Sequence, residues 1–347
     1  MEHVWAPAAA RSLRRAIERV KPDCIWAIPH DFSICPLKKI LNDESRISDD
    51  KKMRVHVTIQ DFPDCHGHGK LWGEKRVERM ARMQEQIYAA ADTCDATSHP
   101  MLEELEMRTG AKGVQMLHLG LEPEDFEYLQ GLVQRFSCVV EKTKHQEPRT
   151  IKIAYAGTIL CQREFALFVD LLKEARTKKQ ERRTPNLELH FYGAHSYAGR
   201  PWYDPEWMVE HGNLPERELV TALRGYDWGL IPMSLEDDDP RYNRFSFPTK
   251  FITYLAAGLP PIVMGHCESS VLKMAEQYQV GLRITDGRKG AGAFLVGDSP
   301  LSHAARSAFS PRSEFLPAVL RCARAEFDAQ AMRERLWGHL MNRGVFT

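Results

Sequence analysis

A chain of 347 residues, 43% apolar and 27% charged, is long enough for two globular domains with separate cores. Its 47 basic and 47 acidic side chains cancel, which argues against a nucleic-acid partner held by bulk electrostatics. No run approaches the ~20 apolar residues that cross a bilayer, and the 8 cysteines include no C-x-x-C pair, as expected of reduced thiols in a cytoplasmic protein. The opening stretch MEHVWAPAAARSLRRAIERV lacks a continuous apolar core and carries acids, so it reads as neither signal peptide nor anchor. Peripheral contact with the inner face of a membrane stays open.

In chain order, a helix over 8–20 leads through KPD into an apolar strand, CIWAI, at 24–28. RVHVTI at 54–59 reads as a second buried strand, a long amphipathic helix covers roughly 73–91, and VQMLHL at 114–119 is a third strand. The text then turns charged and apolar-poor at 140–150, EKTKHQEPRT, the best linker candidate. Beyond it come strand 151–156, helix 164–176, strand 187–193, helix 215–224, strand 228–233, helix 249–257, strand 260–264, helix 269–278 and strand 281–284. The charged run KEARTKKQERR at 173–183 reads as a solvated face. The final stretch is amphipathic helix. Alternation of this kind predicts α/β architecture with parallel sheets in two doubly wound, Rossmann-like domains. We expect domains over 1–145 and 150–310, with helices at 311–347 for which packing back on the first domain is one open arrangement. The first domain shows only about three strands, an underbuilt sheet.

Strand C-termini of a doubly wound sheet share one edge, and ligands bind there. Two strands of the second half end in glycine, IAYAG at Gly157 and LHFYG at Gly193, where backbone can approach an anion. A third ends at Pro232. The stretch FSFPTKFITYLAAGLPPIV at 245–263 puts Ser246, Phe247, Pro248, Thr249 and Lys250 at the start of a helix that stops at Gly258. Free N–H groups and the dipole of that first turn would suit a diphosphate.

These residues resemble a known family. P-x-K-x-x-x-Y-L-A-A-G-L-P at 248–260, with LPERELVTALRGYDWGLIP at 214–232, is similar to the C-terminal domain of the retaining GT-B glycosyltransferases of family 4, or glycosyl transferases group 1. KPDCIWA, VTIQD, AADTCDATS and LHLGLEPEDF resemble its N-domain landmarks more loosely. The resemblance implies a GT-B fold whose two domains face a cleft. It also implies transfer of a sugar, of hexosyl type, from a nucleotide-diphosphate donor to a glycan, lipid-linked or small-molecule acceptor hydroxyl, with retention. Neither a cofactor nor a metal is expected.

This sequence departs from the family pattern at named positions. Phe245 and Thr253 stand where the family carries two glutamates, and Thr158 stands where it carries an arginine. A threonine cannot grip two ribose hydroxyls as a carboxylate does, at a cost of about 1.5–3 kcal/mol of donor affinity. Arg163 and Lys250 are the candidates for the diphosphate charge, each with an ordinary surface role as the alternative. The family's first strand and glycine-rich loop have no counterpart, so a partner chain supplying those strands is one expectation. His30 and Asp61, at strand ends of the first half, are the candidate acceptor-side or catalytic groups; for His30 an ordinary loop histidine is the rival reading. Two further functions stay open: an inactive nucleotide-sugar-binding subunit or half of a split transferase, and a nucleotide-sugar epimerase or hydrolase. Cys65, His66 and His68 in DCHGHGK have metal-ligand types without a paired motif, and EDDDPR at 236–241 reads as a solvated turn before a helix.

Overall fold

The structure is a computed structural model. It describes residues 2–30, 33–41, 47–48, 51–63, 73–115, 120–139, 150–177, 186–285 and 311–341. The linker at 140–149, Cys65, His66 and His68, and the later parts of 114–119 and 173–183 lie outside the described residues. The chain divides into two compact units. One comprises Met1–His118, Asp239–Phe247 and Ala331–Thr347; the other comprises Leu119–Asp238 and Pro248–Gln330.

In the first unit, α1 (Glu2–Val20), β1 (Cys24–Ala27) and α2 (Ile34–Leu41) are followed by two short paired strands, β2 (Ile47–Ser48) and β3 (Lys51–Lys52). β4 (Arg54–Ile59), α3 (Glu74–Ala90), β5 (Thr93–Ala96), α4 (His99–Thr109) and β6 (Val114–Gln115) come next. Four strands pair in parallel in the order β1-β4-β5-β6. This corrects the expectation of about three strands: TCDA at 93–96 is the extra one, hidden in the sequence by its brevity and its aspartate. Val55, Val57 and Ile59 share one face of β4 and enter a core with Ile87, Tyr88 and Met101, while His56 and Thr58 are buried on the other face. Helix α4 begins where the Ser98 hydroxyl accepts the Met101 N–H at 3.3 Å and ends at Gly110, whose φ of 71° suits glycine.

The second unit contains α5 (Pro123–Val139), β7 (Ile151–Ala156), α6 (Gln162–Thr177), β8 (Leu187–Tyr192), β9 (Met208–Glu210), α7 (Glu216–Leu223) and β10 (Trp228–Pro232). The chain then gives α8 (Pro240–Phe245) to the first unit and returns with α9 (Lys250–Ala256), β11 (Pro261–Met264), α10 (Ser270–Tyr278), β12 (Leu282–Ile284) and α11 (Pro311–Glu326). The last helix, α12 (Ala329–Met341), joins the first unit from Ala331 onward. The expected 311–347 region is thus shared between the units, and α5, expected in the first domain, belongs to the second. Six parallel strands run β12-β11-β10-β7-β8-β9, so MVE at 208–210 is a strand the sequence reading did not contain. One face of this sheet presents Ile153, Tyr155, Leu189, Phe191 and Trp228 to Phe165, Phe168 and Leu172 of α6. No described helix is long and apolar enough to cross a membrane.

Candidate functional site

Numbered from β7, the six strands follow the order 3-2-1-4-5-6 of dinucleotide-binding sheets. The chain winds outward from β7 through β8 to β9, then crosses back to β10 on the other side of β7. Loops leaving the C-terminal ends of β7 and β10 therefore start in opposite directions, the arrangement at which sheets of this order form a binding crevice. The hydrogen-bond register reflects the divergence. β7 and β8 pair at six positions, whereas β7 and β10 pair only at Ile153 with Trp228 and Ala154 with Gly229.

A buried phenol fills the gap. The Tyr254 hydroxyl of α9 accepts the Ala156 N–H at 3.0 Å and lies 3.2 Å from the Leu230 carbonyl, so it joins the two strands where their own ladder stops. Its burial pushes the phenol pKa up, which keeps it a neutral donor and acceptor. Gly229 makes room: a Cβ there would lie 2.4 Å from the Tyr254 ring.

At the ends of β7 and β8 the two predicted glycines touch. Gly157 has φ 100°, a conformation that strains any other residue, and its N–H donates to Tyr192 O at 2.7 Å. A Cβ on Gly193 would sit 2.9 Å from the Gly157 carbonyl, so this position is glycine because the turns nearly meet. Gly157 and Thr158 are exposed, which leaves the edge open to a ligand.

Lys250, the first residue of α9, bends its side chain to the end of β7. Its ammonium donates to the Tyr155 hydroxyl at 3.0 Å and stands 4.5 Å from the Tyr155 ring centroid. Among the described residues no carboxylate lies within ion-pair distance of it. Burial lowers its pKa to about 8, against a small opposing influence of the Cys161 thiol. Thr158 enters through the same phenol, since Tyr155 donates its proton to Thr158 O at 2.7 Å.

The other predicted positions divide. Pro232 is buried at the end of β10, level with Met264 of β11. Arg163, at the start of α6, is exposed and ion-paired with Glu236 at 2.6 Å, which holds the Glu236 carboxyl below its usual range. Thr253 is buried and its hydroxyl lies 3.5 Å from Thr249 O, one turn back in its own helix. The expected free amides at the start of α9 are partly spent, a correction: Phe251 donates to Pro248 O, and Ile252 and Thr253 donate to Thr249 O. A tightened first turn satisfies these groups internally. Thr249 itself is exposed beside them.

Ser246 and Phe247 belong to the first unit, whereas Lys250 belongs to the second. The Ser246 hydroxyl donates to Asp61 Oδ1 at 2.8 Å, and Phe245 packs edge-on against Phe62 at 5.1 Å. Asp61 is therefore engaged within its unit, and Gln84 of α3 donates to both the Pro29 and Asp61 carbonyls. His30 is exposed, its N–H and carbonyl both bonded to the Ser33 hydroxyl.

The acidic run 236–239 has internal employment. Glu236 pairs with Arg163, Asp238 accepts from Ser234 at 2.8 Å, and Asp239 caps α8 through the Tyr242 N–H. Among the described residues no group of three or more His, Cys, Asp or Glu is arranged to hold a metal. A hollow lined by Cys267, Leu272, Gly281 and Arg283 lies at the β12 edge, away from the strand-order reversal. Its position gives no support to chemistry at that edge, and the reversal remains the candidate site. Sequence reasoning takes Tyr254 for helix core without a chemical role, and it passes over Tyr155 and Gly229 as strand interior.

Comparisons with known proteins agree with this geometry. The model of the family described as Glucosyltransferase 3-like, C-terminal domain, matches residues 168–287. No curated protein matches the chain by sequence. Among solved structures, the Candida albicans trehalose-6-phosphate phosphatase N-terminal domain is similar at TM-score 0.61 and 9% identity, over 96% of this chain and 74% of that one. An α,α-trehalose-phosphate synthase (UDP-forming) from Burkholderia xenovorans, in complex with glucose-6-phosphate, gives TM-score 0.60 and 11% identity over 96% and 77%. An E. coli trehalose-6-phosphate structure bound with UDP-2-fluoro glucose gives 0.59 and 10% over 98% and 78%. At such identities the likeness is one of fold: the chain has the GT-B fold, built from two Rossmann-like α/β units.

Proposed function

We propose that this chain binds a nucleotide-diphosphate sugar at the β7/β10 edge of its second unit and transfers the sugar to an acceptor hydroxyl. The observation that carries the reading is Lys250. A half-buried ammonium without a carboxylate partner among the described residues, placed at a strand-order reversal, is matched by an anionic ligand. The similarity of 168–287 to a glucosyltransferase-like domain supports the same choice of ligand, as does the UDP sugar bound to a protein of the same fold.

In this reading the diphosphate lies against Gly157 and Thr158, with its charge met by Lys250 and by Arg163 once the guanidinium exchanges Glu236 for phosphate. An exposed ion pair is weak, so the exchange is easy. Catalysis then rests on holding donor and acceptor together and on stabilising the departing nucleoside diphosphate, chemistry that favours retention and runs without a metal. Family 4 type, a cytoplasmic setting and an acceptor side near Asp61 and His30 belong to the same proposal.

The test is calorimetric titration of the whole chain with UDP-glucose and other common donors, followed by a transfer assay with and without chelator. Binding that Lys250→Met weakens by about tenfold or more is the expected result. No binding to any common donor sinks the reading, and loss of activity in chelator removes its metal-free part. A second reading, a nucleotide-sugar-binding subunit without transferase activity, is favoured by Thr253. Its hydroxyl faces its own helix, and Phe245 packs on Phe62, so neither position supplies a carboxylate. Binding without turnover selects it.

A further inference from the structure

The Tyr155 phenol is fixed on every side. It is buried on β7, edge-on to Phe165 at 5.2 Å and to Phe191 at 6.5 Å. A phenol has one proton to give, and Tyr155 gives it to Thr158 O. Toward Lys250 it can only accept. An acceptor of that kind holds an amine in either protonation state, since both –NH₃⁺ and –NH₂ can donate. A carboxylate in the same place would instead have locked the charged form.

The remaining surroundings of Lys250 are equally non-committal. The Cys161 thiol nearby is pushed up to about 11 by burial, with Glu164 adding to the effect, so it stays neutral at ordinary pH. Glu164 itself turns to the Leu235 N–H at 3.3 Å. Asp238, on the loop after β10, is occupied by Ser234. Thr249, the neighbour on α9, carries no charge.

We propose that anion binding at the β7/β10 edge is proton-linked through Lys250, with Tyr155 as the positioning residue that holds the amine and the Gly157–Thr158 turn together. This rests on the donor reading above. In the empty site the amine gives up its proton in the mildly alkaline range, since burial has already lowered it to about 8. A phosphate beside it favours the charged form. Binding above that pH therefore takes one proton from the buffer, as Lys–NH₂ plus H⁺ becomes Lys–NH₃⁺. Well below it, the proton is already present and none is taken up. Affinity is accordingly flat on the acid side and falls with rising pH on the alkaline side, by at most about tenfold per pH unit.

The test uses the intact chain and UDP-glucose; its diphosphate carries no proton that exchanges in this range, but its uracil N3–H does ionise on the alkaline side, so uptake and affinity loss are counted as the excess over those of Lys250→Arg. Titrations at about pH 7 and about pH 9.5, each in two buffers of different ionisation enthalpy, give affinity and protons taken up together. We expect uptake near zero at the lower pH and approaching one at the higher, with affinity weaker there by about tenfold or more. Lys250→Arg, charged throughout, should keep only the uracil's own share of uptake and affinity loss. Tyr155→Phe should weaken binding severalfold even at pH 7 while keeping the uptake. A wild-type profile that is flat with no uptake overturns the linkage and leaves the donor reading standing. Unchanged pH dependence in Lys250→Arg places the proton elsewhere and overturns it as well. Should Tyr155→Phe bind like wild type, its positioning role falls. No binding of any donor at either pH overturns both readings.

Discussion

The two sheets of this molecule are built from the same unit, a parallel strand followed by a helix, and differ in how the chain winds. In the first unit the four strands follow one another across the sheet, β1-β4-β5-β6, without reversal among the described strands. In the second, the order reverses between β7 and β10. A sheet wound in one direction sends successive loops the same way, and here its polar groups bind one another: Ser246 to Asp61, Gln84 to two strand-end carbonyls, His56 beside Asp95 at 3.3 Å. A reversal separates two loops and leaves something to be filled. Part of the gap takes Tyr254, and beside it Lys250 keeps an unneutralised charge. Strand order thus decides where a binding edge forms, and residue chemistry decides what such an edge can hold.

The most direct way to break this contrast is to remove the filler. Tyr254→Ala should cost about 3–5 kcal/mol, the usual loss for a buried aromatic, seen as a lower denaturation midpoint for the second unit. A loss under about 1 kcal/mol would mean β7 and β10 do not need the wedge. Gly229→Ala attacks from the other side by placing a methyl 2.4 Å from the Tyr254 ring. Overpacking of that kind costs about 1–3 kcal/mol. Tyr254→Phe combined with it should not restore stability, because the ring stays where the methyl must go.

Acid sharpens the contrast, since both units carry depressed histidines. His190 and His211 in the second unit and His339 in the first are all held below 6.5, chiefly by burial. A depressed histidine binds fewer protons when folded than when unfolded. Its contribution is therefore present above about pH 6.5 and is lost as pH falls below it. For His339 burial comes first and the neighbouring His56 adds to it; its neutral Nε2 accepts the Cys94 N–H at 3.2 Å, a bond that protonation would break. Thermal midpoints should drop between about pH 7 and pH 5, and His339→Gln should flatten the response of the first unit alone. A wild-type midpoint that holds steady across this range would remove the histidine argument. The smallest effect belongs to the exposed Arg163–Glu236 pair, where Arg163→Gln should leave the melting temperature unchanged. A clear fall would show that the pair braces the loops of the reversal and is not simply available for exchange.

What could be read in the sequence follows from how local each signal is. Runs such as IKIAYA and LELHFY announce themselves as strands because parallel strands buried on both faces are nearly continuous in apolar residues. TCDA and MVE do not, since four or three residues with an acid among them resemble loop. In the first case the acid is wholly buried beside His56, a partner 39 positions earlier that no local pattern reveals. Gly157 and Gly193 could be picked out by their places at strand ends. Tyr155 and Tyr254 could not, because a tyrosine inside an apolar run looks like packing, and its hydroxyl acquires meaning only when the strand order is known. Thr253 gained a definite position, buried and facing its own helix, where the sequence offered a substitution without a geometry.

The excursion of the chain at 239–247 has a consequence for the order of assembly. The first unit needs Phe245 in its core, Ser246 on Asp61, His339 on the Cys94 amide and the Leu340 carbonyl on Arg54. Those residues leave the ribosome long after the strands they complete. All the segments of the second unit have been made by Gln330. The half that is translated first is therefore the half that matures last, and until then its strands wait with their cover missing, the interval in which a chaperone would have most to protect.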